Sequence, residues 1–140
     1  MVQTNSNRDA YHELSCYTLA HGHPSFIHQH VVDAFAAQEA NEHTKPIGLT
    51  FALVGLYLHV EKGQTGRQVQ LTHMKMARQK RRWPAFVLPR ERGTITAVDV
   101  MRAAAGEARD KAIDEWCASV WDAFRGNRDV VVRLLAEYGI

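Results

Sequence analysis

The chain has 140 residues, 46% hydrophobic and 23% charged, with a formal net charge of +2. That balance argues for one globular domain able to bury about two thirds of the surface its unfolded chain exposes, and against extended disorder. A charge so near zero imposes no nucleic-acid or membrane partner.

Residues 1–8 read as a flexible N-terminus and 9–140 as a single helical domain. The start, MVQTNSNRDAYHEL, has no basic end followed by an apolar run, so no secretory signal is expected. Asn7, Arg8 and Asp9 offer capping groups before a first helix carrying Tyr11, Leu14, Tyr17 and Leu19. His21-Gly22-His23-Pro24 breaks it, and Pro24 suits the first turn of the next helix. At 100° per residue, Ile27, Val31, Ala34, Phe35 and Gln38 share a core-facing side of that second helix, which is expected to reach about Ala40.

Pro46 opens a third helix, apolar nearly all round and therefore central. Its stretch from Ile47 to Val60 is too short to cross a bilayer. Gly48, Ala52, Gly55 and His59 form a stripe of mostly small residues, where another backbone or a ligand is expected to approach closely. Gly63 ends this helix. A fourth runs from about Thr65 to Lys80 with Val69, His73, Met76 and Ala77 on one side. Pro84 and Pro89 make the stretch from Trp83 to Gly93 irregular, and Thr96 with Asp99 opens a short helix. Ile113, Trp116, Cys117, Val120 and Phe124 mark one stripe; after Gly126-Asn127, Val130, Val131, Leu134, Leu135 and Tyr138 mark another. Trp116 and Trp121 are five apart, so only one is expected to face the core fully, leaving the other for a partner or a pocket rim.

Chemistry is concentrated in two places. The first is FIHQHVVDAFAAQ, Phe26 to Gln38. On a helix His28 and His30 point apart, whereas His30 and Asp33 share a side, as a metal ligand or a general base with an orienting carboxylate requires. A site for a divalent transition metal (zinc, nickel or iron) then needs ligands from other helices, and His59 and His73 are the candidates, with His43 able to fold over them. No H-E-x-x-H or H-x-x-x-H pair accompanies them. The competing and leading reading is structural: His30 and Asp33 form a local hydrogen-bonded pair within a polar network with His28, and Gln38 satisfies a buried backbone group.

The second place is charge. Lys75, Arg78, Lys80, Arg81, Arg82, Arg90 and Arg92 stand against one acid, Glu91, while the remaining chain holds 10 basic and 14 acidic residues. Beside Trp83 this run reads as a nucleic-acid or phosphate patch, or as cations favoured at a helix C-terminus with the indole packed inward; the second reading is preferred, so a nucleic-acid partner is not expected. Cys16 and Cys117 make no disulfide framework and indicate a reducing, cytoplasmic setting, with both as core residues. Cys16 has His12 one turn before it, a thiolate–imidazole spacing without a matching oxyanion site.

Three segments, HQHVVDAFAAQ, WPAFVLPRERGTITAVDVMRAA and WCASVWDAFRGNRDVVVRLL, together resemble the domain of unknown function 5946, a family of small bacterial proteins. The resemblance runs from about Tyr11 onward and implies no established activity. The family pattern resembles H-x-x-V-D-A-Y near the second helix, set here against His28, Val32 and Asp33, and continues Q-H-P where this chain has Gln38-Glu39-Ala40. Paired cysteines at the start and histidines before the last helix are also implied by the family. This chain has no such pair and carries Gly126-Asn127-Arg128 at the later position, which weakens a metal role resting on those groups.

The sequence therefore predicts an all-α single-domain bundle of about six or seven helices around a buried central helix. The functional expectation is a self-associating or small-ligand-binding protein with no membrane partner. The alternatives are a metal-dependent enzyme with His30, His59 and His73 as ligands, and anion binding through residues 75–92.

Overall fold

The computed structural model describes residues 2–20, 25–79 and 82–140. Among them are seven α-helices and one 3-10 turn, with no strand: α1 (Val2–Ala20), α2 (His28–Gln38), α3 (Pro46–Val60), α4 (Gly66–Ala77), α5 (Ala97–Arg102), α6 (Glu107–Phe124), the turn Arg125–Asn127, and α7 (Arg128–Glu137). The expected break at residues 21–24, with Pro24 opening α2, lies outside the described residues, as do Lys80 and Arg81.

Local chemistry sets the helix ends. Lys45 is extended, as a residue before proline must be, and Pro46 occupies the first turn of α3, where its missing N–H costs nothing. After α3 the chain turns back at Gly63, φ 67°, with the Gly63 N–H donating to the His59 carbonyl. Thr65 caps α4 through a reciprocal pair: its hydroxyl accepts from the Gln68 N–H at 3.2 Å and its own N–H donates to Gln68 Oε1 at 2.9 Å. Thr96 and Asp99 repeat the device at α5.

Helix α3 is largely buried. Leu49, Thr50 and every residue from Ala52 to Leu58 are buried, and it meets α2, α4, α6 and α7. Each large apolar side chain withdrawn from water contributes about 1.5–3 kcal/mol. No helix among the described residues is long and apolar enough to cross a membrane.

The two tryptophans of α6 depart from expectation, since both are completely buried. Helix α6 is covered on two sides. Trp116 turns toward α2, where its indole N–H donates to Gln38 Oε1 at 3.0 Å; Trp121 turns toward α3, edge-on to Tyr57, and donates to Glu61 Oε2 at 2.7 Å. Trp121 therefore offers no spare apolar surface for self-association. Of the two cysteines, Cys117 is in the core but Cys16 is exposed, so the core placement expected for Cys16 does not hold.

The irregular stretch 82–96 is a strap tied to the helices by side chains. Gln38 Nε2 donates to the carbonyls of Arg92 (3.0 Å) and Ile95 (2.7 Å). Buried Asn127 takes both backbone groups of Val87, accepting its N–H at 2.8 Å and donating to its carbonyl at 2.9 Å. Ser119 accepts the Thr94 N–H at 2.8 Å, beside Gly93 at φ 97°. A segment that cannot pair with itself thus has its buried backbone groups satisfied from outside.

Of the small residues on α3, Gly55 is the site of close approach: a methyl group there would overlap the carboxyl of Asp33, whereas one at Gly48 would meet nothing. Gly55→Ala is expected to cost about 1–3 kcal/mol through overpacking, and Gly48→Ala to gain up to about 0.5–1 kcal/mol by restricting the unfolded chain. Urea unfolding checks both, and Asp33→Ala added to Gly55→Ala should recover part of the loss. Equal effects at the two glycines would contradict the close approach.

Candidate functional site

Three helices bring titratable side chains together inside the bundle. His30 and Asp33 come from α2, His59 from the end of α3, and Asp114 and Cys117 from α6. His30 and Asp33 are only 4% and 3% exposed, because α2 is covered by α1, α3, α4 and α6 rather than along a single stripe.

The rings of His30 and His59 stack face to face, centroids 3.5 Å apart and planes 17° off parallel. Asp33 Oδ1 accepts from Gln29 Nε2 at 3.1 Å, while Oδ2 lies over Gly55 with no hydrogen-bond partner. Burial raises the Asp33 pKa well above the ordinary carboxylate value, against the smaller opposing effect of the Gln29 bond, and so favours the protonated form. Burial, then the neighbouring His59 ring, lowers His30 to about 3, with Asp114 acting weakly the other way. His30 is accordingly neutral, and its Nδ1 has no partner. Cys117 donates its thiol proton to the His30 carbonyl at 3.6 Å; burial first, then Asp114 and Asp33, raise its pKa well above the ordinary value, which rules out a reactive thiolate.

The other histidines are tied down. His59 Nδ1 lies 3.0 Å from the Gln64 carbonyl and Nε2 lies 3.0 Å from Asp114 Oδ1, so both nitrogens face acceptors. His73 Nε2 donates to the Phe51 carbonyl at 2.8 Å with its ring stacked on Phe51, and burial lowers its pKa against that bond. His28 Nδ1 meets Thr18 Oγ1 at 3.0 Å. His43 stands in the open near Glu42.

This geometry does not assemble His30, His59 and His73 as metal ligands. Imidazole lone pairs lie in the ring plane, so two stacked rings direct them along parallel lines rather than at one ion. The Phe51 carbonyl holds His73 by its Nε2. Among the described residues, no group of three or more His, Cys, Asp or Glu side chains could hold a metal ion.

The basic segment does not present the stacking surface that the nucleic-acid alternative required. Trp83 is half-buried, edge-on to Phe51 at 5.6 Å, and is no stacking surface. Lys75, Arg78 and Arg82 are exposed. They continue an outer face of α4 on which Arg67, Leu71, Met74 and Arg78 follow at four-, three- and four-residue intervals, with Leu71 52% and Met74 46% exposed. The inner face is Val69, His73 and Met76, and Ala77 belongs outside it.

The family model of unknown function DUF5946 matches residues 3–125 of this chain. The chain belongs to that family. It matches no curated protein and no solved structure. In this DUF5946 member the matched span takes in the histidine cluster, the strap and the α4 face, and ends just before α7.

Sequence reasoning missed Asp114, which holds His59 from 55 residues away, and the Glu61 carboxylate, which joins Trp121 to Arg128 Nε at 2.9 Å. No local pattern signals such long-range pairs. Leu71 and Met74 did carry a signal: both are large apolar residues off the Val69–His73–Met76 side.

The buried acid yields a pH prediction. Because the folded pKa of Asp33 lies above the unfolded one, its contribution is fully present below about pH 4 and is lost as pH rises toward the folded value. Asp33→Asn, a neutral mimic, should match the wild type in acid and become progressively more stable than it toward neutral pH. His30 acts oppositely, stabilising as pH rises from about 3 to 6.5, but cancels in this comparison. Parallel urea titrations across pH check it, and a difference independent of pH contradicts a neutral Asp33.

Proposed function

We propose that this protein is a non-catalytic binding module, with the outer face of α4 as its working surface and an acidic amphipathic segment of another protein as its partner. One observation carries the reading: Leu71 and Met74 stand about half exposed between Arg67 and Arg78, and every charged residue of that face is a cation. Seven of the chain's 17 cations and none of its 15 acids fall between Gln64 and Arg90. Among the described residues the Arg67 guanidinium bonds only to neutral Gln70, and Lys75, Arg78 and Arg82 form no ion pair.

The eleven residue steps from Arg67 to Arg78 span about 16 Å of helix axis, the length of a three-turn partner helix. Such a helix would set acids against the two arginines and apolar side chains against Leu71 and Met74, the helix-to-helix mode of recognition. A nucleic-acid backbone would use the cations but leave the apolar centre unmatched, and Trp83 is turned inward. Two side chains are too little apolar surface for stable insertion into a bilayer. Self-association through two identical α4 faces would set cation against cation. The histidine cluster then serves as scaffold, which suits the buried, stacked His30 ring and the nitrogens of His28, His59 and His73 that meet hydroxyl, carbonyl and carboxylate oxygens.

A photo-cross-linking residue at position 71 of the intact chain, used in extract of the source cells, tests this. The adduct should be a peptide rich in Asp and Glu with apolar residues at helical spacing. A synthetic copy of it should bind about tenfold more weakly to Arg67→Glu and lose affinity as salt rises. Adducts to nucleic acid, lipid or a second copy of the chain, or no adduct, contradict the reading.

A further inference from the structure

Helix α7 has a second face that the core does not use. Val131, Leu134 and Leu135 are buried, whereas Val130, Arg133 and Glu137 continue with Leu134 along the outer side at three- and four-residue spacing. The beginning of the strap passes over this side before Asn127 pins Val87, leaving a cleft of about 320 Å³. Arg82, Pro84 and Ala85 form one wall, and Val130, Arg133 and Leu134 form the other.

We infer that this cleft is a binding site for a small organic anion, one carboxylate or phosphate group on a compact apolar body. The volume is at the lower end of those that hold small ligands. Two guanidinium groups border the same cleft. Arg82 has no ion pair among the described residues, and Arg133 is held only through Nε, 3.4 Å from the Asp129 carbonyl of its own helix, leaving its terminal nitrogens for a ligand. Planar forks of this kind match carboxylate and phosphate oxygens two at a time. Pro84, Ala85, Val130 and Leu134 supply the apolar wall for the rest of the molecule. Glu137, which has a partner of its own, closes one end and leaves the lining with one net positive charge, suited to a monoanion more than to a polyphosphate.

Proline at 84 gives the site a fixed wall. Its φ is locked by the ring, and Asn127 holds the strap three residues later through two hydrogen bonds, so little ordering is needed when a ligand enters. The cleft differs from the α4 face in its walls and in its ligand, so either can fail without the other.

Methyl and backbone NMR titration of the full chain tests the inference, using benzoate, phenyl phosphate, inorganic phosphate and the neutral analogue benzyl alcohol as probes. Benzoate or phenyl phosphate should shift Ala85, Val130 and Leu134 and saturate with a dissociation constant of about 1 mM, the range open to so small a molecule. Benzyl alcohol and inorganic phosphate should each bind at least about tenfold more weakly, lacking one half of the recognition. Arg133→Gln should weaken benzoate about tenfold, with an unchanged melting temperature showing that the fold is intact, while Arg67→Gln on α4 leaves binding unaltered. The inference is overturned by absence of shifts at those three residues, by benzyl alcohol binding as well as benzoate, or by equal losses in the two arginine variants.

Discussion

The close approach of α2 to α3 at Gly55 is the constraint on which the remaining architecture depends. The carboxyl of Asp33 occupies the space that a side chain at position 55 would fill, so this crossing of α2 and α3 depends on glycine there. Removing an ion from water costs several kcal/mol, so burial there raises the Asp33 pKa and favours its neutral form. Once α2 is set at that depth, His30 lies over His59, and the His30 carbonyl receives the Cys117 thiol of α6. At the far end of α2, Gln38 reaches Trp116 and two carbonyls of the strap. The Asp33–Gly55 approach thus joins α2 to α3, and His30 and Gln38 carry the same helix on to α6 and the strap.

That arrangement explains which parts of the molecule were legible in advance. The bundle could be read because its signals are local: Pro46, the Thr65 and Thr96 caps, the glycine at 63 and the apolar periodicity of α6 and α7 each act within one or two turns. Gly55 could be read as a point of close approach, but its partner could not, because a carboxylate is normally assigned to water. The tryptophans were misread because a helix packed on two sides buries residues that a single-stripe picture leaves outside. The histidines invited a metal reading through the spacing of His30 and Asp33; ring stacking, and bonds to carbonyls beyond the local helix, decided otherwise.

The same reasoning separates scaffold from surface. Inside the bundle, polar groups are mostly committed to each other, and their shifted protonation states follow from burial. On α4 the situation is reversed, with Leu71 and Met74 in water and cations lacking acids. Exposed single apolar residues are common on proteins, but two on one helix face between uncompensated arginines make a surface chemically matched to something else. The proposal that this DUF5946 chain is a binding module rests on that mismatch with water.

The central claim, that the histidine cluster is a closed structural element, is tested most directly by imidazole ¹⁵N NMR across about pH 4 to 8, the range in which an ordinary histidine titrates. The His30 ring should remain neutral throughout, in keeping with a pKa of about 3, and its Nδ1 should keep the shift of an unprotonated nitrogen. A His30 titration near 6.5 would place the ring in contact with water and contradict the packing of α2 on α3 from which the account is built.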